Sequence, residues 1–305
     1  MCKVLEISRA AYYKWLHRTP AKRARENKEL LKTILMIHGT NNGLFGYRKM
    51  TMAINRAIED RVNEKRVRRL LRIHKLDCTC RKKSRYRWRK CQPEQTANNT
   101  LARQFHADYP NQKWCTDITE IKISGTDQKL YIRTVFDLYD RYPVAWELST
   151  RNDAELVHKT ILKALAVHPE GCELFHSDRG FQYTRAQFSQ ILSNHGIKQS
   201  MSRVSRCIDN GPMEGFQGQL KDILRVLYPE VSTVEEMRDA IEGTFNFYIN
   251  ESPQKRFKGK TAGEVRSQAL NEWTNCRLSD RAKPSNYPIL ESDRREPEET
   301  QPTVR

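Results

Sequence analysis

No stretch of this 305-residue chain approaches the ~20 consecutive apolar residues that a membrane-crossing helix needs. The opening, Met1 to Glu6, lacks a basic segment followed by an apolar one, so no secretory leader is expected. Cysteine occurs eight times but without a framework: positions 2, 78, 80, 91, 115, 172, 207 and 276 are scattered. A chain of this length buries a core without covalent staples, and reduced thiols in a cytosol are the expectation. No internal repeat is visible, and the length allows two or three domains.

Acid is also lacking, but only in one part of the chain. Residues 1–112 carry 27 Lys+Arg against 9 Asp+Glu, whereas the remainder carries 27 against 28. The whole excess of a net charge of +17 therefore lies in the N-terminal third. That asymmetry points to a polyanion-binding module joined to a nearly neutral partner. Membrane-surface binding would want an amphipathic helix with exposed bulky apolar residues, and none is evident. The run Arg81–Lys90 holds seven cations and no acid, including Arg85, Arg87 and Arg89. A solvated charged segment has no use for the interleaved Tyr86 and Trp88, which favour nucleic acid as its partner.

The pattern of apolar residues sets out the organisation. Ser8 can cap a short helix carrying Ala11, Tyr12, Trp15 and Leu16, and residues 1–20 read as a partial helix-turn-helix remnant. Residues 21–91 read as a basic helix-turn-helix region. One helix there carries Leu30, Leu31, Ile34 and Ile37, and a second begins at Tyr47-Arg48 after the Gly43 and Gly46 loop. A third, capped by Asn63, sets Val67, Leu70, Leu71 and His74 on one face and Lys65, Arg66, Arg68, Arg69, Arg72 and Lys75 on the other. Residues 92–112 read as a linker. Residues 113–277 read as an α/β core: three β-like runs (Trp114–Ile123, Leu130–Leu138, Val144–Leu148), then alternating helices and strands. The tail 278–305 is rich in Pro, Ser and charge and is expected to be disordered.

Three acids stand out by position. Asp117 lies inside the first β-like run, where an unpaired carboxylate is costly. Asp178 closes the apolar run that ends in His176-Ser-Asp, and Glu214 falls in the first turn of the helix opened by Asp209-Asn-Gly-Pro. Carboxylates from a central strand, a neighbouring strand end and a nearby helix can converge, and oxygen ligands suit Mg²⁺ or Mn²⁺. On the Glu214 helix, Phe216, Leu220, Ile223 and Leu227 would pack on the sheet, while Glu214, Lys221 and Arg225 align on another face. That second line offers a metal ligand followed by two phosphate-binding cations.

Sixty residues separate Asp117 from Asp178, and 35 separate Asp178 from Glu214, with a lysine seven beyond. The spacing resembles the Asp-Asp-35-Glu core of retroviral integrases and bacterial insertion-sequence transposases. The flanks resemble it as well: Lys113-Trp-Cys-Thr-Asp-Ile-Thr, His176-Ser-Asp-Arg-Gly-Phe-Gln-Tyr and Asp209-Asn-Gly-Pro-Met-Glu-Gly-Phe-Gln-Gly-Gln-Leu-Lys. Upstream, Gly46-Tyr-Arg and Lys65-Arg-Val-Arg-Arg-Leu-Leu resemble the helix-turn-helix of the IS-three family, and the similarity runs from about Ser8 to Arg266. The chain departs from the family at Ser252, where an arginine is usual, at Thr261-Ala262, where Thr-Pro is usual, and at Gln217, in place of a common aromatic.

The resemblance implies a ribonuclease-H-like mixed sheet and a transposase that cuts and joins double-stranded DNA at element ends and target. It implies two Mg²⁺ or Mn²⁺ ions, with Asp117 bridging both and Asp178 and Glu214 each holding one. It also implies a homo-oligomer on DNA, a second-frame product that works fused to an upstream first-frame product, and a place in the bacterial cytoplasm at the nucleoid. A non-catalytic DNA-binding repressor would share the N-terminal charge, and only the carboxylates separate the two readings. His176 reads as an orienting or structural histidine, and Asp137 as a partner for Arg141. A zinc site at His74, Cys78, Cys80 and Cys91 is disfavoured by the tight Cys-x-Cys spacing and by His74 on the apolar stripe.

Overall fold

The computed structural model describes residues 2, 4, 6–17, 21–58, 61–80, 98–180, 182–183, 185–203 and 207–278. Arg85, Arg87, Arg89, Cys91 and the 278–305 tail beyond its first residue lie outside these. The chain divides into two compact units, Met1–Cys78 and Thr79–Arg305.

The first unit is helical. In α1 (Arg9–Leu16) the Ser8 hydroxyl accepts from the Ala11 amide, and no residue of the helix is buried. Three longer helices share a small core. From α2 (Lys22–Thr40) come Leu30, Ile34 and Ile37, from α3 (Tyr47–Ala57) Met50 and Ile54, and from α4 (Glu64–Ile73) Val67, Leu70 and Leu71. Spacings of three and four keep these residues on one face of each helix. Gly43, at φ 72°, takes the left-handed position that closes α2, where its amide reaches the His38 carbonyl. Asn63 caps α4 through the Lys65 amide. His74 is not on the apolar stripe: it is the exposed C-cap residue, because α4 ends one residue earlier.

The second unit is built on a mixed five-stranded sheet of order β3-β2-β1-β4-β5. Strands β1 (Lys113–Lys122), β2 (Lys129–Asp137) and β3 (Pro143–Ser149) form an antiparallel meander. Helix α5 (Ala154–Val167) then crosses to β4 (Leu174–Ser177), parallel to β1, and α6 (Ala186–Asn194) leads to β5 (Lys198–Met201), parallel to β4. The two faces of the sheet follow from the period-two alternation. Trp114, Val135 and Phe175 pack with Val157, Ile161 and Ala164 of α5 and Phe188 of α6. On the opposite face Phe136 stacks on Phe216 of α7 (Gly211–Leu227), with ring centroids 4.6 Å apart. Phe216 in turn meets Phe245 and Tyr248 of α8 (Val234–Asn250). Each such ring pair adds about 0.5–1.5 kcal/mol beyond its burial.

Helix α7 buries Met213, Phe216, Leu220, Ile223 and Leu224, so Leu224 takes the inward place expected of Leu227. A further helix, α9 (Ala262–Leu278), buries Ala262, Val265 and Ala269. Thr261 starts it: the Thr261 hydroxyl accepts from the Glu264 amide, and the Glu264 carboxylate accepts from the Thr261 amide.

Candidate active site

Asp117 stands in the middle of β1, and its side chain faces the α7 side with Cys115 and Thr119. The parallel register ends with Cys115 opposite His176; Asp117 lies two residues further along β1, and Asp178 follows directly on the end of β4. The end of β4 thus brings Asp178 near enough to Asp117 for its charge to act on that carboxyl. Burial pushes Asp117 up to about 7, and the charge of Asp178 adds to the shift. The Ile118 amide at 2.7 Å, the Arg133 guanidinium and the Gln217 side chain pull the other way. Asp178 is also raised by burial, opposed by the Gly180 amide at 3.1 Å and by Arg133. Two desolvated carboxylates that repel each other are a site short of positive charge.

Glu214 lies exposed in the first turn of α7. The start of that helix is tied to β1 beside Asp117, because the Asn210 amide donates to the Thr116 carbonyl at 3.1 Å. The structure pairs the two aspartates but does not gather Glu214 with them: among the described residues no three of His, Cys, Asp and Glu are grouped as a metal site. Two neighbouring carboxylates still fit Mg²⁺ or Mn²⁺, which commonly take one or two protein carboxylates and leave the other positions to water and phosphate. Downstream on α7, Lys221 and Arg225 line a cavity of about 360 Å³ together with Glu120 and Lys122 of β1. Arg225 is paired with Asp222 at 2.7 Å.

Several residues hold this arrangement from behind. His176 is fully buried, with Nδ1 2.9 Å from the Ser200 hydroxyl and Nε2 3.0 Å from that of Ser202. Burial holds it at about 4, so it is a neutral positioning residue at ordinary pH. Asp209 fastens the approach to α7 by accepting from Arg203, Arg103 and Asn99. These bonds, that to Arg203 above all, hold its carboxyl well below the usual range. Leu101 is buried and its amide donates to Ser200, so residues 98–103 are built into this unit. Asp137, read as a partner for Arg141, has its hydrogen bonds elsewhere. It accepts instead from Arg266 of α9 at 2.6 Å and from the Asn111 amide, because Arg266 reaches the interior where Asp137 points.

Arg133 was not marked by spacing or motif. It lies 1% exposed on β2, and its guanidinium rests 4.1 Å over the Tyr183 ring. The available signal was an arginine inside the largely apolar run Leu130–Leu138, where burial demands a reason.

In the helical unit, Arg48, Arg69 and Arg72 are exposed, and the Tyr47 ring lies between the guanidinium groups of Arg48 and Arg68, at 5.5 and 5.3 Å. Arg66 is placed differently. It donates to Asn27 at 2.8 Å and to Glu26 at 3.3 Å, fastening α4 to α2.

Comparison with known proteins agrees with both units. Residues 107–207 match the integrase core domain and residues 25–84 an HTH-like domain. InsK, the transposase assigned to insertion sequence element IS150 of Escherichia coli K12, is 34% identical over 88% of this chain and 93% of its own length. An uncharacterised transposase-like protein of Haemophilus influenzae is 33% identical over 73% of this chain and 100% of its own. The InsF transposase of IS3A from Escherichia coli K12 is 30% identical over 72% and 77%. Among solved structures, the HTLV-2 integrase catalytic core in complex with magnesium aligns at 17% identity and a TM-score of 0.43, over 52% of this chain and 97% of that one. By the family matches, the mixed sheet flanked by helices is a ribonuclease-H-like integrase core, and the N-terminal helical unit is an HTH-like domain.

Proposed function

Because the chain belongs to the IS3 family of insertion-sequence transposases, we propose that it binds the ends of its element and cuts and joins DNA phosphodiesters at Asp117, Asp178 and Glu214. The observation that carries this is the pair Asp117 and Asp178, two desolvated carboxyls of which the first is raised further by the charge of the second. Two Mg²⁺ or Mn²⁺ ions would supply Lewis acidity and an activated water or 3′-hydroxyl. Asp117 and Asp178 would hold those ions, with Glu214 of α7 as a third ligand. No serine or tyrosine nucleophile is required.

DNA recognition belongs to the helical unit in this reading. Arg48, Arg69 and Arg72 face the duplex, whereas Arg66 supports α4 through Glu26 and Asn27. Arg85, Arg87 and Arg89 add sequence-independent affinity through phosphate contacts. Lys221 and Arg225 steady the backbone of the reacting strand. The acting species is a homo-oligomer on element-end and target DNA, joined to an upstream first-frame product. No helix among the described residues is long and apolar enough to cross a membrane.

A metal series tests the catalytic part. A duplex bearing an element end should be nicked in Mg²⁺ or Mn²⁺ and left intact in Ca²⁺, which coordinates too loosely for in-line transfer. EDTA should stop nicking while the core keeps its circular dichroism. Nicking that persists in EDTA would rule the site out as the source of activity.

A further inference from the structure

Arg133 has no role in the reading above, yet it is among the largest fully buried side chains of the protein. The β1–β2 register sets it opposite Ile118, hence on the α5 side of the sheet, the reverse of the face that carries Asp117. There its guanidinium stacks on Tyr183, and Nη2 reaches the Thr116 hydroxyl at a long 3.5 Å. Nη1 is buried without a hydrogen-bond partner among the described residues. No carboxylate among the described residues forms an ion pair with the group, and the opposite charges that act on it most are those of Asp178 and then Asp117. Burying a guanidinium with so little hydrogen bonding is expensive. A purely structural role would be served as well by a leucine or methionine packed on Tyr183.

From this placement we infer that Arg133 is a fixed counter-cation behind the carboxylate pair, which lowers the pair's affinity for divalent ions so that they are retained only once DNA phosphate joins them. The inference rests on the assignment of Asp117 and Asp178 as metal ligands. A positive charge on the reverse face of the sheet opposes an incoming dication without blocking its approach to the carboxylates. Phosphate oxygens of a bound strand restore the balance by bringing negative charge to the front. Metal loading then follows DNA binding, and the free protein does not hold loaded ions. Arg133 acts through the aspartates and is a positioning residue.

The experiment is Mn²⁺ binding to the full chain without DNA, followed by electron paramagnetic resonance of the free ion. Arg133→Met should bind Mn²⁺ about tenfold more tightly than the wild type, the size of effect expected of one charge acting through a partly screened interior. Arg133→Lys should stay near the wild-type value. With end-bearing DNA present, the gap between Arg133→Met and wild type should narrow. Equal or weaker Mn²⁺ affinity in Arg133→Met would overturn the inference. If Arg133→Met fails to fold, Arg133→Gln, which keeps a donor for Thr116, takes its place with the same expected direction. Asp117→Asn separates the two levels of the argument. Mn²⁺ affinity unchanged in that variant would remove the metal-site assignment itself. Affinity lost there but untouched by Arg133→Met would remove only the role of Arg133.

Discussion

Asp117→Asn and Asp178→Asn should each reduce cleavage and joining by more than about 100-fold, beyond the loss that accompanies removal of an outer-shell partner of a metal. Glu214→Gln should do the same. The aspartate changes should also stabilise the metal-free protein at pH 8. Asp117 is raised to about 7 by burial and by Asp178, so its ionised form is disfavoured in the fold relative to the unfolded chain. Above that value the native protein bears the cost of a charge that asparagine does not carry. The melting temperature of Asp117→Asn without metal should therefore rise by a few degrees, about 2–4 °C for each kcal/mol relieved. An inactive variant that also melts lower would mean that Asp117 is a structural acid and that the lost activity is secondary. Glu214, being exposed, should change activity without a comparable gain in stability.

Replacing Arg266 should have the largest effect on stability. Its guanidinium, 4% exposed, donates to Asp137 at 2.6 Å, Asp140 at 3.0 Å and Asn111 at 2.6 Å, and lies 2.9 Å from His168 Nε2. Arg266→Met leaves two buried carboxylates without their cation, which costs about 3–5 kcal/mol for a broken buried pair. In a unit of this size that is a drop in melting temperature on the order of 10 °C. Arg266→Lys should fall between, since one ammonium cannot reach four partners on two sides. The same network gives a pH signature. Burial, and then Arg266, hold His168 at about 4, below its ordinary 6.5. The unfolded chain thus takes up a proton that the folded protein refuses, and the stability due to neutral His168 is lost as pH falls from about 6.5 towards 4. His176 acts in the same sense. Because Asp117, raised to about 7, works in the opposite sense, the signature is read as a difference. The stability of the wild type relative to His168→Gln should decline from about pH 6.5 towards 4, and a difference that stays flat down to pH 4.5 would contradict the placement of His168.

Much of the core could be read from the sequence because period-two and period-3.6 patterns are strong in it. The runs read at Trp114–Ile123 and Leu130–Leu138 are β1 and β2 within a residue at each end, and the helix expected from Asp153 is α5 with Asp153 as its cap. Helix α9 was harder to see. Its inward positions are Ala262, Val265 and Ala269, small residues that leave little apolar contrast. His74 and Leu227 were misplaced at helix ends, where one residue of fraying decides whether a side chain faces in. The triad was legible as spacing and flanking motif, but the pairing of Asp117 with Asp178 needed the register of β1 on β4. Partners distant in sequence were not legible. Asp137 and Arg266 stand 129 residues apart, so an arginine four residues away looked the better partner until the fold placed α9. Arg133 escaped for a related reason: its meaning lies in what is behind the strand, which a strand's own alternation does not reveal.

The most direct test of the central claim is strand transfer. A labelled duplex carrying the element end is incubated in Mg²⁺ with a supercoiled plasmid and the full chain, alone and joined to its upstream first-frame product. The predicted result is covalent joining of the end's 3′ strand to plasmid DNA, absent in EDTA and absent with Asp117→Asn. Tight binding of the end with neither nicked nor joined product, in Mg²⁺ and in Mn²⁺ and from both forms of the protein, would contradict it and leave a DNA-binding repressor in its place.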